Sequence, residues 1–348
     1  MTMTPAPPDD FGAVRTLSAE FGADPMHIQG AGGNSSIKTD RAMWIKASGT
    51  KLSDATTGDI FVVTDLPAMR QSLRAGEDAA DQPGKFLLPG GNTLRPSIET
   101  SLHAVFDQRI VLHTHSIHAI AHAIRADCDA LLAARLDGFA WAKVPYAKPG
   151  ANLARAVSAV LTKDINVVVL GNHGLIVAGD AADEVRALQT AVHDALALPA
   201  APAAPPDIAA LKSLTEGTAY TPADDSALHA LADGPARLAQ VTRGSLYPDH
   251  VIFCGIAVPA LSPGEAVAGA EARITATGAP PPVWLLVPQK GVIVRREAGA
   301  AATVMMRCLA DVMVRVPADA KLNYLTDEEN FELLDWDAEK YRQSLNAP

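Results

Sequence analysis

Two histidines, His113 and His115, stand two residues apart at the end of the apolar run Ile110-Val-Leu. On a strand, side chains alternate between faces, so this spacing points both imidazoles the same way. Neutral imidazoles that converge pack poorly and are suited to sharing a cation. A third histidine, His173, sits between Asn172 and Gly174 at the junction of two apolar runs, a place that packing explains badly. Three histidines with one position open fit a catalytic divalent metal, because a closed structural site would show four ligands and more cysteine. The competing explanation is a pair of partly exposed strand-end histidines. His118 and His122, four apart on the following helical segment, also have ligand spacing, and His118 competes for the third position; packing against or orienting a ligand suits them better.

The elements around these histidines carry further candidates. Pro96 opens a segment with Ile98, Leu102, Val105 and Phe106 on one helical stripe, and Glu99 falls in its first turn. The helix dipole favours a carboxylate there whether or not it does chemistry. Upstream, Gln29-Gly-Ala-Gly-Gly-Asn-Ser-Ser36 precedes strand-like runs at Ile37–Thr39 and Met43–Lys46, and Ala47-Ser-Gly-Thr50 follows. Glycine-rich loops let backbone N–H groups approach an anion, with Asn34, Ser35 and Ser36 adding side-chain donors; plain turns are the alternative.

Periodicity predicts a helix over Phe11–Phe21, strands at Trp141–Tyr146 and Asn166–Leu170, and helices over Asn152–Leu161 and Asp183–Leu198. The Ala/Pro run after Leu198 reads as a stiff interdomain linker. Beyond it, strand-like runs at Val251–Cys254, Val283–Val287 and Val292–Val294 alternate with helical stretches at 263–277, 298–315 and 326–345, suggesting a small α/β domain. The expected organisation is 1–198 metal-binding catalytic domain, 199–224 linker, and 225–348 small α/β domain.

The 348 residues are long enough for two domains and 48% apolar, hence globular. With 29 basic against 39 acidic residues and a net charge of −10, nucleic acid and anionic membrane are poor partners. Three scattered cysteines without CxxC spacing suggest a reducing compartment. With no apolar leader or span visible, a cytoplasmic location is expected.

Gly33-Asn34, Ser48-Gly49, Pro96-Ser-Ile-Glu99, His113-Thr-His115 and Gly171-Asn-His173-Gly174, in this order, resemble the class II aldolase/adducin family over about residues 10–198. The remainder, including Tyr247-Pro-Asp-His250 and Asp335-Trp-Asp-Ala-Glu-Lys-Tyr-Arg342, resembles the aldolase portion of rhamnulose-phosphate aldolase/dehydrogenase fusion proteins without their dehydrogenase part, so no nicotinamide cofactor is expected. The resemblance implies a three-layer αβα fold with a central, mainly antiparallel sheet, and a homotetramer with sites between subunits. It implies zinc held by His113, His115 and His173, with another divalent metal possible, and Glu99 as the acid–base residue. Gly33, Asn34, Ser48, Gly49 and Ser97 would hold a substrate phosphate. The implied reaction is cleavage of a ketose 1-phosphate or related sugar through a metal-stabilised enediolate, with the pKa of Glu99 raised by burial once it leaves the metal. The family's sugar-phosphate epimerases resemble this pattern with Asp in place of Glu99, which favours C–C cleavage.

Two departures bear on the substrate. Ile98 replaces the second serine of the Ser-Ser pair found in sugar-phosphate aldolases, and the tyrosine that follows their paired histidines has no counterpart between Ala119 and Ala142; Tyr146 lies in a structural-looking Pro-Tyr-Ala motif, leaving Tyr247 and Tyr324 as substitutes. Decarboxylation or cleavage of a non-phosphorylated hydroxy acid or sugar acid is therefore the alternative, and a non-catalytic adducin-like module a lesser one.

Overall fold

The computed structural model describes residues 5–92 and 94–335. They divide into two compact units, one within Met1–Ala123 and Cys128–Ala197, the other within Ile124–Asp127 and Leu198–Pro348.

The first unit runs α1 (Phe11–Ala23), β1 (Asn34–Lys38), β2 (Ala42–Lys46), β3 (Phe61–Asp65), α2 (Leu66–Ala75), α3 (Thr100–Ala104), β4 (Ile110–Thr114), α4 (Ile117–Ala123), α5 (Cys128–Arg135), β5 (Trp141–Val144), α6 (Ala151–Val160), β6 (Val167–Leu170), β7 (Gly174–Gly179) and α7 (Ala182–Ala195). The strands form one seven-stranded sheet in the order β3-β2-β1-β4-β7-β6-β5. All pairings are antiparallel except β5 with β6, in agreement with the mainly antiparallel sheet that the resemblance implied. Alternation sorts the side chains into two cores. Ile37, Ile110, Leu112 and Val177 pack with Val14 and Leu17 of α1 and with Val185 and Val192 of α7. On the opposite face Met43, Val111, Val168 and Ile176 pack with Met69 of α2, Leu102 of α3 and Leu153 of α6. Helices on both faces make a three-layer αβα unit, which is why its central strands are buried along their whole length.

Strand β3 and helix α2 were not anticipated. Asp65 caps α2 through its carboxylate, which accepts from Ala68 N at 2.9 Å, and Gly76 ends it in the left-handed conformation. The helix expected from Pro96 starts only at Thr100, with Glu99 as its N-cap residue.

The second unit contains α8 (Ile208–Thr215), β8 (Tyr220–Pro222), α9 (Pro235–Arg243), α10 (Pro248–Cys254), α11 (Val267–Thr275), β9 (Trp284–Val287), β10 (Gly291–Arg295), α12 (Ala300–Met313) and α13 (Asp327–Leu334). Its antiparallel sheet has the order β8-β10-β9. Two expectations need correction. The segment 199–224 is not linker throughout, because Asp207 caps α8 and Leu211 and Tyr220 are buried in this unit's core. Val251–Cys254 is helix, not strand: Pro248 and Asp249 open a helical turn, and a four-residue apolar run fits either state. The predicted helix beyond Asp335, and the motif from Trp336 onward, lie outside the described residues. Among the described residues no helix is long and apolar enough to cross a membrane.

His250 on α10 is buried, and neither ring nitrogen makes a hydrogen bond within the described residues. Burial pushes its pKa down to about 4. A depressed histidine contributes its stability above the unfolded value of about 6.5, and this is lost as pH falls towards 4. We therefore expect wild type to lose about 3 kcal/mol more than His250→Leu between pH 7 and pH 4, measured from urea unfolding midpoints.

Candidate metal centre

Strand β4 brings the centre together because its two neighbours deliver the other parts. Asn34 at the start of β1 pairs with His113, and Leu175 of β7 pairs with Thr114. The β6–β7 turn therefore sets His173 at the end of β4, next to His115. The turn closes tightly: a Cβ at Gly174 would lie 2.4 Å from the Thr114 carbonyl oxygen. Asn172 takes a positive φ of 52°. Gly33, with φ of 59°, has the same constraint, since a Cβ there would lie 2.8 Å from the His113 carbonyl oxygen.

The three rings form a near-equilateral group, with centroids 5.0, 5.0 and 5.3 Å apart. All three residues are buried, and one ligand atom from each lies within 4.8 Å of the others. His113 Nδ1 lies 3.1 Å from the Leu175 carbonyl oxygen. A carbonyl only accepts, so Nδ1 carries the ring proton and Nε2 offers its lone pair to the group. Three neutral nitrogens so arranged fit a divalent cation with a further coordination position open to substrate. His118 and His122 do not join them: His122 Nε2 meets the Leu196 carbonyl at 3.0 Å, and the His118 ring lies 4.7 Å from that of His193.

Glu99 faces the same group from the N-terminus of α3. Its Oε2 lies 3.5 Å from His113 Nε2 and its Oε1 3.5 Å from His173 Nε2. Burial alone pushes its pKa up, as expected from the sequence. The charge that the imidazoles of His113, His173 and His115 carry when protonated, together with the hydrogen bond from Asn34, outweighs this and holds it at about 2. Helix α3 has five residues and too few internal bonds to stand alone. Two cations hold its C-terminal end: Lys38 Nζ donates to the His103 and Phe106 carbonyls at 2.9 and 2.6 Å, and Arg70 donates to those of Ala104 and Phe106 at 2.8 and 2.7 Å.

The residues expected to bind substrate gather beside Glu99. Asn34 Nδ2 donates to Glu99 Oε2 at 2.8 Å and to Ser97 Oγ at 3.1 Å. Ser97 N donates to the Lys46 carbonyl and Ser48 N to the Arg95 carbonyl, so the Ser48-Gly49 loop runs alongside Ser97. Gly49 takes a φ of 78°. Lys46, which the sequence reading missed, is buried and donates from Nζ to the carbonyls of Ala31 and Gly33 at 2.8 and 3.0 Å, tying down the glycine-rich loop. His103, also missed, bonds Asn34 and Ser36. A lysine in a strand otherwise apolar, and a histidine one helical turn after Glu99, were the available signals. The hydroxyls of Tyr247 and Tyr324 are engaged within the second unit, with Cys308 Sγ at 3.4 Å and the Gln240 carbonyl at 2.9 Å.

Comparison with known proteins gives this arrangement a family. Residues 16–198, more than half of the chain, match the model of the class II aldolase and adducin N-terminal domain. A Bacillus subtilis (strain 168) protein described as the uncharacterized oxidoreductase YuxG is 27% identical over 177 residues, which is 47% of this chain but only 25% of that protein. Among solved structures, an N-terminal class II aldolase domain from Thermoplasma acidophilum is 24% identical with a TM-score of 0.49, covering 56% of this chain and 95% of that one. An L-fuculose-1-phosphate aldolase from Thermus thermophilus is 17% identical with a TM-score of 0.38, covering 53% and 90%. On the match of the family model, the chain belongs to the class II aldolase and adducin family.

Proposed function

We propose that this chain is a zinc-dependent aldolase that cleaves a C–C bond of a ketose 1-phosphate or related sugar. The observation that carries the reading is the position of Glu99, with each carboxylate oxygen 3.5 Å from a ring nitrogen of a different histidine in the three-imidazole group. His113, His115 and His173 would hold the cation. Bound there, a divalent metal supplies Lewis-acid polarisation of a substrate carbonyl and stabilises the negative charge released when the bond breaks.

The remaining work falls to the chain's own groups. Glu99 is the acid–base residue. Burial favours its neutral form, while positive charge at the three-imidazole group favours its carboxylate, so the balance moves towards the acid as the side chain leaves His113 and His173. A group that must return a proton to carbon in cleavage and remove one in condensation needs this change of affinity. The backbone at Gly33 and Gly49, with Asn34, Ser48 and Ser97, would anchor the substrate through a phosphate that does not react, so that binding energy orients the reacting end. The homotetramer with sites between subunits belongs to the same proposal.

A second reading has one observation in its favour. Ile98, partly buried beside Ser97, puts an apolar side chain where a hydroxyl would strengthen a phosphate site. This favours decarboxylation or cleavage of a hydroxy acid or sugar acid without phosphate.

Elemental analysis and a retro-aldol assay on ketose 1-phosphates test the proposal. Wild type is expected to bring close to one zinc per chain and release dihydroxyacetone phosphate, and His113→Ala to lose the metal and the activity together. Metal with no product from phosphorylated ketoses, but turnover of a sugar acid, would establish the second reading. Failure to take up any divalent metal after resupply would leave a non-catalytic binding module. Glu99→Gln should keep the metal and lower turnover by about 10²–10⁴-fold, measured at saturating substrate.

A further inference from the structure

We propose that His103 is a positioning residue of this site: its ring holds the orientation in which the Asn34 amide donates to both Glu99 and Ser97, so that Ser97 is left with only a hydrogen-bond donor to present to the substrate. His103 is wholly buried on α3, one turn after Glu99. Its Nε2 bonds Asn34 Oδ1, and its Nδ1 lies 2.8 Å from Ser36 Oγ. Each polarity in this chain of bonds follows from the one before. The NH₂ end of Asn34 faces Glu99 Oε2 at 2.8 Å and Ser97 Oγ at 3.1 Å. Its carbonyl oxygen therefore faces His103, and Nε2 must carry the ring proton. Nδ1 is then an acceptor, and the Ser36 hydroxyl donates to it.

The same polarity continues into Ser97. Its Oγ accepts from Asn34 Nδ2 at 3.1 Å and from the backbone N–H of Glu99 at 3.2 Å. With both lone pairs used, its own hydroxyl proton remains to be donated. A rotated Asn34 amide would set its carbonyl oxygen against the Glu99 carboxylate and its NH₂ against the buried Nε2–H of His103. Glu99 therefore sets the amide orientation, and the His103 Nε2–H holds it without touching substrate. The matching ligand group is one made of acceptors: a phosphate, a carboxylate or a ketose carbonyl. In its kinetic consequences this inference rests on the lyase reading; the ring tautomer and the amide orientation do not depend on it.

The first test is ¹⁵N NMR of full-length protein labelled at histidine and asparagine, with His103→Gln used to assign the ring and Asn34→Asp to assign the side-chain amide. The expected result is a neutral His103 with its proton on Nε2 at neutral pH, and a slowly exchanging Asn34 NH₂. A proton on Nδ1, or a doubly protonated ring, would overturn the proposal. The second test compares variants at equal metal content. His103→Leu removes the donor to Asn34, and kcat/KM should fall about 10–100-fold. His103→Gln can still donate an N–H to Asn34 and should recover most of that loss. Equal impairment of both variants, or none in His103→Leu, would contradict a role through Asn34. If wild type turns over neither ketose phosphates nor sugar acids, the lyase reading fails separately and the NMR result alone decides the proposal, as it does if His103→Leu does not fold.

Discussion

The register of β4 between β1 and β7 is the constraint on which the centre depends. Side chains alternate along a strand, so a slip of one residue would turn His113 into the core beside α1 and α7 and put Leu112 in its place. Burial on both faces penalises that slip, since Ile110 and Leu112 fill one core and Val111 the other. Gly33 and Gly174 allow the strand ends to close against β4 backbone at distances no side chain would permit. The same pairing that makes the sheet stable therefore also places Asn34, His113 and His173 around one point.

Glu99 comes from the opposite layer, on an element with little stability of its own. Five helical residues cannot offset the cost of nucleation, so α3 keeps its shape through its surroundings. Leu102 packs into the α2/α6 core, and Lys38 and Arg70 take up the carbonyls at the helix end. Burying the Lys38 ammonium lowers its pKa, and its hydrogen bonds offset part of that cost. A carboxylate that lies 3.5 Å from two imidazoles thus rests on contacts made at the far end of its helix.

The polar groups around Glu99 form a network in which the described partners are consistent in polarity. Such a network in a low-dielectric interior specifies one arrangement strongly, because each reversed bond leaves a buried donor or acceptor unmatched. Lys46 extends the same logic to the glycine-rich loop, whose backbone would otherwise have few side chains to hold it.

What the sequence determined alone was which residues are candidates for the site. The i, i+2 histidines, His173 between its turn residues, Glu99 ahead of a helical stripe and two glycine-rich loops could be read from spacing, because strand and turn geometry are local. Their order carried the family resemblance. Sheet direction was not legible, since an antiparallel strand covered by helices on both faces shows the same continuous apolar run as a parallel one. Val251–Cys254 was misread because four apolar residues carry no period, and residues 208–222 because the Ala/Pro composition before them masked a cap at Asp207 and a buried Tyr220. Lys38, Lys46, Arg70 and His103 gain their roles from partners between 13 and 69 residues away. Only the folded sheet brings those partners together, and so only the tertiary structure decided which end of Asn34 faces Glu99.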